Sequence, residues 1–471
     1  MKLFLRGQWV DRPGKLGVCN PFDGSLVDQV PLAGAADVET ALAGAVEGAA
    51  VMRKLPAYER FQILRRAADA MFARQQELGR LISLEEGKTL AEGVFEAGRA
   101  AETMELSAEE AKRLGGEVLP LDGAPGGAGK LGFTLRVPCG VVAAITPFNF
   151  PLNLVCHKVG PALAGGNAVI LKPASDTPLS ALTLVEILLA AGLPPLAINC
   201  LVGSGSEIGG ALCADPRVRK ISFTGSVEVG KQICSVAGLK RVTMELGSNS
   251  PLVVLPDADL EKVAAAVLAS GYGNAGQVCI STQRVIAIDQ IYRDLQDLLA
   301  PRVAALSTGN PLAEGTRMGP MIRERDAQRV GQWVDEAVSQ GARLLSGGSR
   351  QGTLFAPTLL ADVQPGMRLF RDELFGPAVG LSRAASLNEA IALANDSRYG
   401  LSAGIFTQDI DAAIQFAREV DCGNLHINWG PAWRADLMPY GGLKESGLGK
   451  EGPRYAIEEM TERKTVVVHG K

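Results

Sequence analysis

The sequence predicts an α/β protein with two open parallel sheets covered by helices, plus a projecting β-flap. Three observations carry this expectation. Short apolar runs that read as buried strands alternate with helical segments from about residue 140, and the same rhythm begins again near residue 250. A Gly- and Pro-rich stretch precedes the first series and separates it from a long helical region. The chain closes on one more alternating run.

Taken in order, Ala35 to Ala111 is the helical region: "DVETALAGAVEGAAVMRKL" and "ERFQILRRAADAMFARQQELGRLISLEEGK" repeat apolar residues at spacings of three and four. "GGEVLPLDGAPGGAGKLGFTLRVPCG" follows, where Gly and Pro surround short alternating runs, the pattern of a hairpin or flap. The first α/β series runs through "GVVAAITPF", "GPALAGG", "NAVILKP", the helix "PLSALTLVEILLAAG", "AINCLVG", the helix "SEIGGALCADP" and the strand "VRKISFTG". The second starts at "SPLVVLPDADLEKVAAAVLASGYGNAGQVC" and passes through "RVIAID" and "LFGPAVGL" to "GNLHIN". Sheets of this kind bind ligands at the C-terminal ends of their strands. The last run, "ERKTVVVHG", pairs either with the flap or with another subunit.

Composition narrows the function. The 471 residues are 47% hydrophobic and 21% charged with a net charge of -4, so no overall basic surface invites nucleic acid. Apolar stretches are interrupted well before the ~18 residues of a membrane span, so a soluble protein is expected. The eight cysteines are scattered singly, without a C-x-x-C pair or a secretory leader, which fits reduced thiols and a cytoplasmic location. None of the three histidines has metal-like spacing to cysteine, and no metal site is expected.

Four stretches carry candidate chemistry. "FTGSVEVGKQ" places Gly225 and Gly230 as in a phosphate loop, but Gln232 stands where a magnesium-binding Ser or Thr is needed. What survives is a helix start with Ser226, suited to a pyrophosphate. "GSGSEIGG", which contains Gly205, misses the dinucleotide glycine spacing by one residue. Asn149 in "ITPFNFP" lies just past a strand and is either a turn residue or an amide donor to an oxyanion. Glu245 in "VTMELGSNSP" is either ion-paired or a general base with a raised pKa. Cys279 in "GNAGQVCIST" is a small core residue, a metal ligand or a nucleophile, and a place at a helix start would lower its pKa.

In order along the chain stand "TPFNFP", "LKPAS", "FTGSVEVG", "MELGSNSP", "GNAGQVCIS", "DELFGP", "NDSRYGLSAGIFT" and "MPYGGLKESGLGKEG". This pattern resembles an aldehyde dehydrogenase of the NAD(P)-dependent superfamily, over essentially the whole chain. The resemblance implies that the Cys279 thiolate attacks the aldehyde, that Asn149 and the Cys279 N–H hold the oxyanion, and that Glu245 activates water to hydrolyse the thioester. That glutamate implies a free acid product. For the cofactor, the resemblance implies Thr146, Pro147 and Phe148 beside Asn149, Lys172 at the adenosine ribose, and Gly205, Gly225 and Ser226 toward the pyrophosphate. Glu373 and Phe375 fall on the nicotinamide-ribose side. Ser175 stands where NAD-preferring members often have a glutamate that repels a 2'-phosphate, so NADP is expected to be accepted, with preference between NADP and NAD open. Ser248 and Asp372 are milder departures.

The "MPYGG" ending and "EEMTE" resemble the branch holding lactaldehyde, non-phosphorylating glyceraldehyde-3-phosphate and phosphonoacetaldehyde dehydrogenases, which implies small polar or anionic aldehydes. Against that, Glu105 stands where an arginine is frequent, and Val278 and Ile280 flank the nucleophile without charge. Trp429 and Trp433, near the expected entrance, favour an apolar or aromatic aldehyde unless they only pack their loop. Arg434 either binds a substrate carboxylate or pairs with Asp436, and the second is favoured here. The expected substrate is therefore apolar or aromatic, with a small hydroxy- or carboxy-aldehyde as the alternative and a non-catalytic homologue as the rival from another class. The expected organisation is a cofactor domain over 1–122 and 140–245, a flap over 123–139, a catalytic domain over 246–440 and a return segment over 441–471. A homodimer or homotetramer joined through the flap and last strand is expected.

Overall fold

The computed structural model describes residues 1–470. Two large sheets dominate, as the alternating rhythm predicts. In the first, Ile198–Cys200, Ala168–Lys172, Val141–Ile145, Val218–Thr224 and Arg241–Glu245 lie side by side and parallel. Short antiparallel strands extend both edges: Leu3–Leu5 and Gln8–Val10 on one side, Gly447–Leu448 on the other. Strand order runs outward in both directions from Val141–Ile145 and Val218–Thr224, so a crevice opens beyond their C-terminal ends.

The second sheet orders Arg343–Ser346, Thr358–Ala361, Ala378–Ala384, Arg284–Ile288, Pro251–Val254, Ser402–Phe406 and Asn424–Ile427. All neighbours are parallel except the first pair. Its central strands are buried on both faces, which is why they read as unbroken apolar runs rather than alternations.

The helical region forms Ala35–Lys54, Ala57–Ala73, Gln75–Glu86 and Leu90–Ala111. Thr89 and Glu92 cap the last of these reciprocally. Its close crossing with Gln75–Glu86 depends on glycine: a Cβ on Gly79 would stand 2.5 Å from the Val94 Cα, and one on Gly93 would stand 2.4 Å from the Gly79 carbonyl oxygen. The closing strand, Thr461–His469, pairs antiparallel with Lys130–Pro138 of its own chain along its whole length, with Val118–Leu119 on the far side. Of the two partners open to that strand, the intramolecular one is used. The expected single helix over "SEIGGALCADP" is split into a π-type turn, Gly205–Gly209, and a short helix, Gly210–Ala214. No helix among the described residues is long and apolar enough to cross a membrane.

Candidate active site

A cavity of about 530 Å³ lies at the crevice and is lined from both sheets. Pro147, Phe148 and Asn149 enter it beyond Val141–Ile145, Gly225 and Ser226 beyond Val218–Thr224, and Glu245 from the end of the next strand. The second sheet's body contributes Cys279, Glu373 and Phe375. The rings of Phe148 and Phe375 meet edge-on with centroids 5.9 Å apart, joining the two sides. Residues widely separated in sequence are thereby brought to one place.

Cys279 does not begin a helix. It follows a turn in which Asn274, Ala275 and Gly276 all have left-handed backbones, with φ of 50°, 53° and 69°. Gly276 is required there, because a Cβ would lie 2.1 Å from the Gly376 carbonyl oxygen. The expected lowering of the thiol pKa is therefore corrected: burial pushes it up to about 12, and the hydrogen bond to the Tyr440 hydroxyl, at 3.2 Å, only partly opposes this. The resting group is a neutral thiol. The Asn149 amide donates to the Gln277 carbonyl at 2.8 Å, tying that side chain to the same turn.

Glu245 is buried, and neither carboxyl oxygen has a hydrogen-bond partner among the described residues. Burial first, and the nearby Glu451 charge second, raise its pKa well above the ordinary carboxylate range. This matches a base candidate rather than an ion-paired residue. Gly441 passes so close that a Cβ would stand 2.9 Å from Glu245 Oε1.

On the cofactor side, Ser226 caps the helix Val227–Ala237 by accepting from the Val229 N–H at 3.3 Å, so this helix starts at the cavity with its first-turn N–H groups suited to a phosphate. Gly225 donates its N–H to the Glu245 carbonyl at 3.0 Å. Glu373 accepts from the Ser248 N–H at 2.9 Å, and burial pushes its carboxyl up to about 7. Thr146 donates its N–H to the Lys172 carbonyl, which joins the ends of adjacent strands. Lys172 is buried, and its ammonium donates to the Pro173 carbonyl at 3.3 Å. Ser175 donates to the Gly203 carbonyl at 3.0 Å, while Gly205 lies exposed in the π-type turn.

The substrate-side expectations need correction. Glu105 turns to Arg65 on the neighbouring helix and does not line the cavity. Trp429 and Trp433 are 40% and 55% exposed and do not line this cavity, and Trp433 packs edge-on against His426. Arg434 does not form an ion pair with Asp436, which is held by Arg99 at 2.7 Å and by His157 at 2.8 Å. Arg434 instead stacks on the Tyr440 ring, 3.9 Å from its centroid, and reaches Glu451 only at 3.4 Å. Its Nε is buried with no hydrogen-bond partner among the described residues. Ile280 packs with Leu401 and Tyr440, and Val278 borders the same cluster.

Sequence reasoning assigned no role to Tyr440, Lys158 or Glu451, although they surround the site. Lys158 donates to Glu451 at 2.6 Å and to Thr224 at 2.7 Å. A signal existed: His157 and Lys158 interrupt the otherwise apolar "NLVCHKVGPALA", and charged groups inside so buried a helix require partners.

The aldehyde dehydrogenase family model matches residues 9–466. The chain is 46% identical over 467 residues to the 3-sulfolactaldehyde dehydrogenase of Priestia megaterium, covering 99% of this chain and 98% of that one. Aldehyde dehydrogenase 21 of Physcomitrella patens, solved with its reaction product succinate, superposes with a TM-score of 0.97 at 37% identity, over 99% of this chain and 98% of its own. The NADP-dependent glyceraldehyde-3-phosphate dehydrogenase of Bacillus halodurans, solved with NADP, gives 0.97 at 36%, over 100% and 99%.

Proposed function

The chain belongs to the aldehyde dehydrogenase family, and from that premise we propose that it oxidises a small aldehyde bearing a carboxylate, sulfonate or hydroxyl group to the free acid. The cofactor is NAD(P), and the cleft suits it. Ser226 and its helix start would meet the pyrophosphate, Lys172 and Ser175 the adenosine ribose, and Glu373 and Phe375 the nicotinamide ribose. When bound, NAD(P) supplies the hydride acceptor.

The chain's own groups do the rest. Cys279 gives up its proton to solvent water, and its sulfur adds to the aldehyde carbon while the carbonyl electron pair moves to oxygen. The Asn149 amide, already turned toward the nucleophile's loop, and the Cys279 N–H stabilise that oxygen. Loss of hydride from carbon leaves a thioester on Cys279. Glu245, unpaired and desolvated, takes a proton from water. The resulting hydroxide adds to the thioester, and the carbon–sulfur bond breaks to release the acid.

The observation that favours an anionic substrate over the apolar one first expected is the placement of Arg434. Around it, the cations Lys158, Arg434 and Arg99 face the carboxylates Glu451 and Asp436 together with Glu245, whose raised pKa favours the uncharged acid, and burial keeps His157 neutral by lowering its pKa. A buried cluster with excess positive charge, one aromatic ring from the nucleophile, gains from a substrate anion. The names of the sulfolactaldehyde relative and of the succinate complex agree with this reading. The test compares kcat/KM for succinic semialdehyde, a sulfonated aldehyde, lactaldehyde, hexanal and benzaldehyde with each cofactor. Preference for hexanal or benzaldehyde would overturn the substrate class and leave the chemistry.

We extend the proposal to a homodimer or homotetramer. Thr461–His469 has an unpaired outer edge, and Leu131, Leu135 and Val468 are exposed on that sheet.

A further inference from the structure

The segment "EEGK", Glu85 to Lys88, closes the helix Gln75–Glu86 far in sequence from Asn149, Glu245 and Cys279, yet two of its side chains are buried against the active site. The Lys88 ammonium donates to Glu96 at 2.7 Å and to the main-chain carbonyl of Asn149 at 2.7 Å, and it lies 4.0 Å from the Phe150 ring centroid. Glu96 uses its other oxygen to accept the N–H groups of Leu152 and Asn153, at 3.0 and 3.1 Å. The Asn149 carbonyl and the main chain at Leu152 and Asn153 are thus clamped by one buried ion pair.

The nucleophile turn is held from the same direction. Glu86 accepts from the Asn274 side-chain amide at 2.8 Å, and Glu92 accepts from the Asn274 N–H at 2.8 Å. That Asn274 amide also reaches the Asn149 carbonyl at 3.3 Å. One carbonyl oxygen therefore receives Lys88 from below the oxyanion residue and Asn274 from the strained turn that presents Cys279.

Resting on the aldehyde-oxidation reading, we propose that Lys88 is a positioning residue for the oxyanion site: with Asn274 it fixes the Asn149 main chain relative to the nucleophile turn. It touches no reacting atom. Its work is geometric, and it acts on the step in which negative charge appears on the aldehyde oxygen. An ion pair this deeply enclosed orders its surroundings only while both partners remain. A donor displaced by ~1 Å loses rate by roughly a hundredfold without loss of binding.

Two variants test this in the full-length protein. Lys88→Met removes the ammonium and keeps the stem. Asn274→Gly removes the amide's bonds to the Asn149 carbonyl and to Glu86 and tolerates the left-handed backbone. Both are expected to lower kcat by roughly ten- to a hundredfold and to slow the first-turnover burst of reduced cofactor, with KM for aldehyde and cofactor within about threefold of wild type. Alkylation of Cys279 by iodoacetamide displaces iodide and builds no oxyanion, so its rate should stay within about twofold in both variants. A kcat unchanged in both, an effect confined to KM, or an alkylation rate that falls in step with kcat would overturn the proposal. Should Lys88→Met fail to fold, Asn274→Gly decides alone. A wild-type protein that reduces neither cofactor with any aldehyde would instead remove the reading on which the proposal rests.

Discussion

The Tyr440 hydroxyl lies 3.2 Å from the Cys279 sulfur, and the Arg434 guanidinium covers the other part of that ring, 3.9 Å from its centroid. The phenol thus lies between the thiol, by a hydrogen bond, and a buried cation, by its ring face. Removing its hydroxyl withdraws a bond that favours the thiolate. Tyr440→Phe should therefore raise the thiol pKa further, slowing alkylation by iodoacetamide at fixed pH by about fivefold, the worth of one ordinary hydrogen bond. An unchanged alkylation rate would mean that the contact carries no charge stabilisation.

Cys279→Ala and Glu245→Gln separate the two halves of the reaction. The first should abolish turnover by at least about a thousandfold, because no covalent adduct forms. The second should still give one equivalent of reduced cofactor per site, followed by a steady rate lower by roughly a hundred- to ten-thousandfold, as expected for loss of a general base. Rapid-mixing absorbance distinguishes them. A Glu245→Gln protein with full steady turnover would assign the water to another group.

The pH dependence has a definite sign. Burial raises the pKa of both Glu245 and Cys279, so each holds its proton to a higher pH than the free group would. Each becomes competent only on deprotonation, and kcat/KM should rise as pH increases from neutrality into the alkaline range. Glu245→Gln should remove its part of that rise. A profile that falls over this range would contradict the assignment of both groups.

Arg434→Met should cost carboxylated or sulfonated aldehydes roughly ten- to a hundredfold in kcat/KM, the range for losing a charged hydrogen bond, while changing hexanal by less than about threefold. Equal losses for both kinds of aldehyde would make Arg434 a support for Tyr440 and nothing more.

Ser175→Glu places a carboxylate at the end of Ala168–Lys172, where the serine now donates to Gly203. Repulsion of a 2'-phosphate at short range should shift the ratio of kcat/KM for NADP over NAD downward by about tenfold or more. Measured with one aldehyde and both cofactors, no shift would place the phosphate elsewhere.

Local pattern was enough for much of this. Short apolar runs such as "AVILK" and "RVIAI", alternating with helical segments, read as strands buried on both faces of parallel sheets, and both form such strands. Cys279, Glu245 and Asn149 stood out as candidates from their places beside strand ends and turns, but local pattern left other readings of each open, and the resemblance in motif order assigned the roles; the sheet geometry delivers all three to one crevice. Partner choice was not legible. Asp436 stands two residues from Arg434 in the chain, yet Arg99, 337 residues away, holds it. Glu105 was expected to approach the aldehyde, but the helix rotation gives it to Arg65, and Trp433 packs on His426, 7 residues before it in the chain. Periodicity and motif order determine elements and their sequence along the chain. Which charges meet, and how far burial moves a thiol from its ordinary pKa, depend on distances across the fold that no local pattern encodes, and only the tertiary packing decided them.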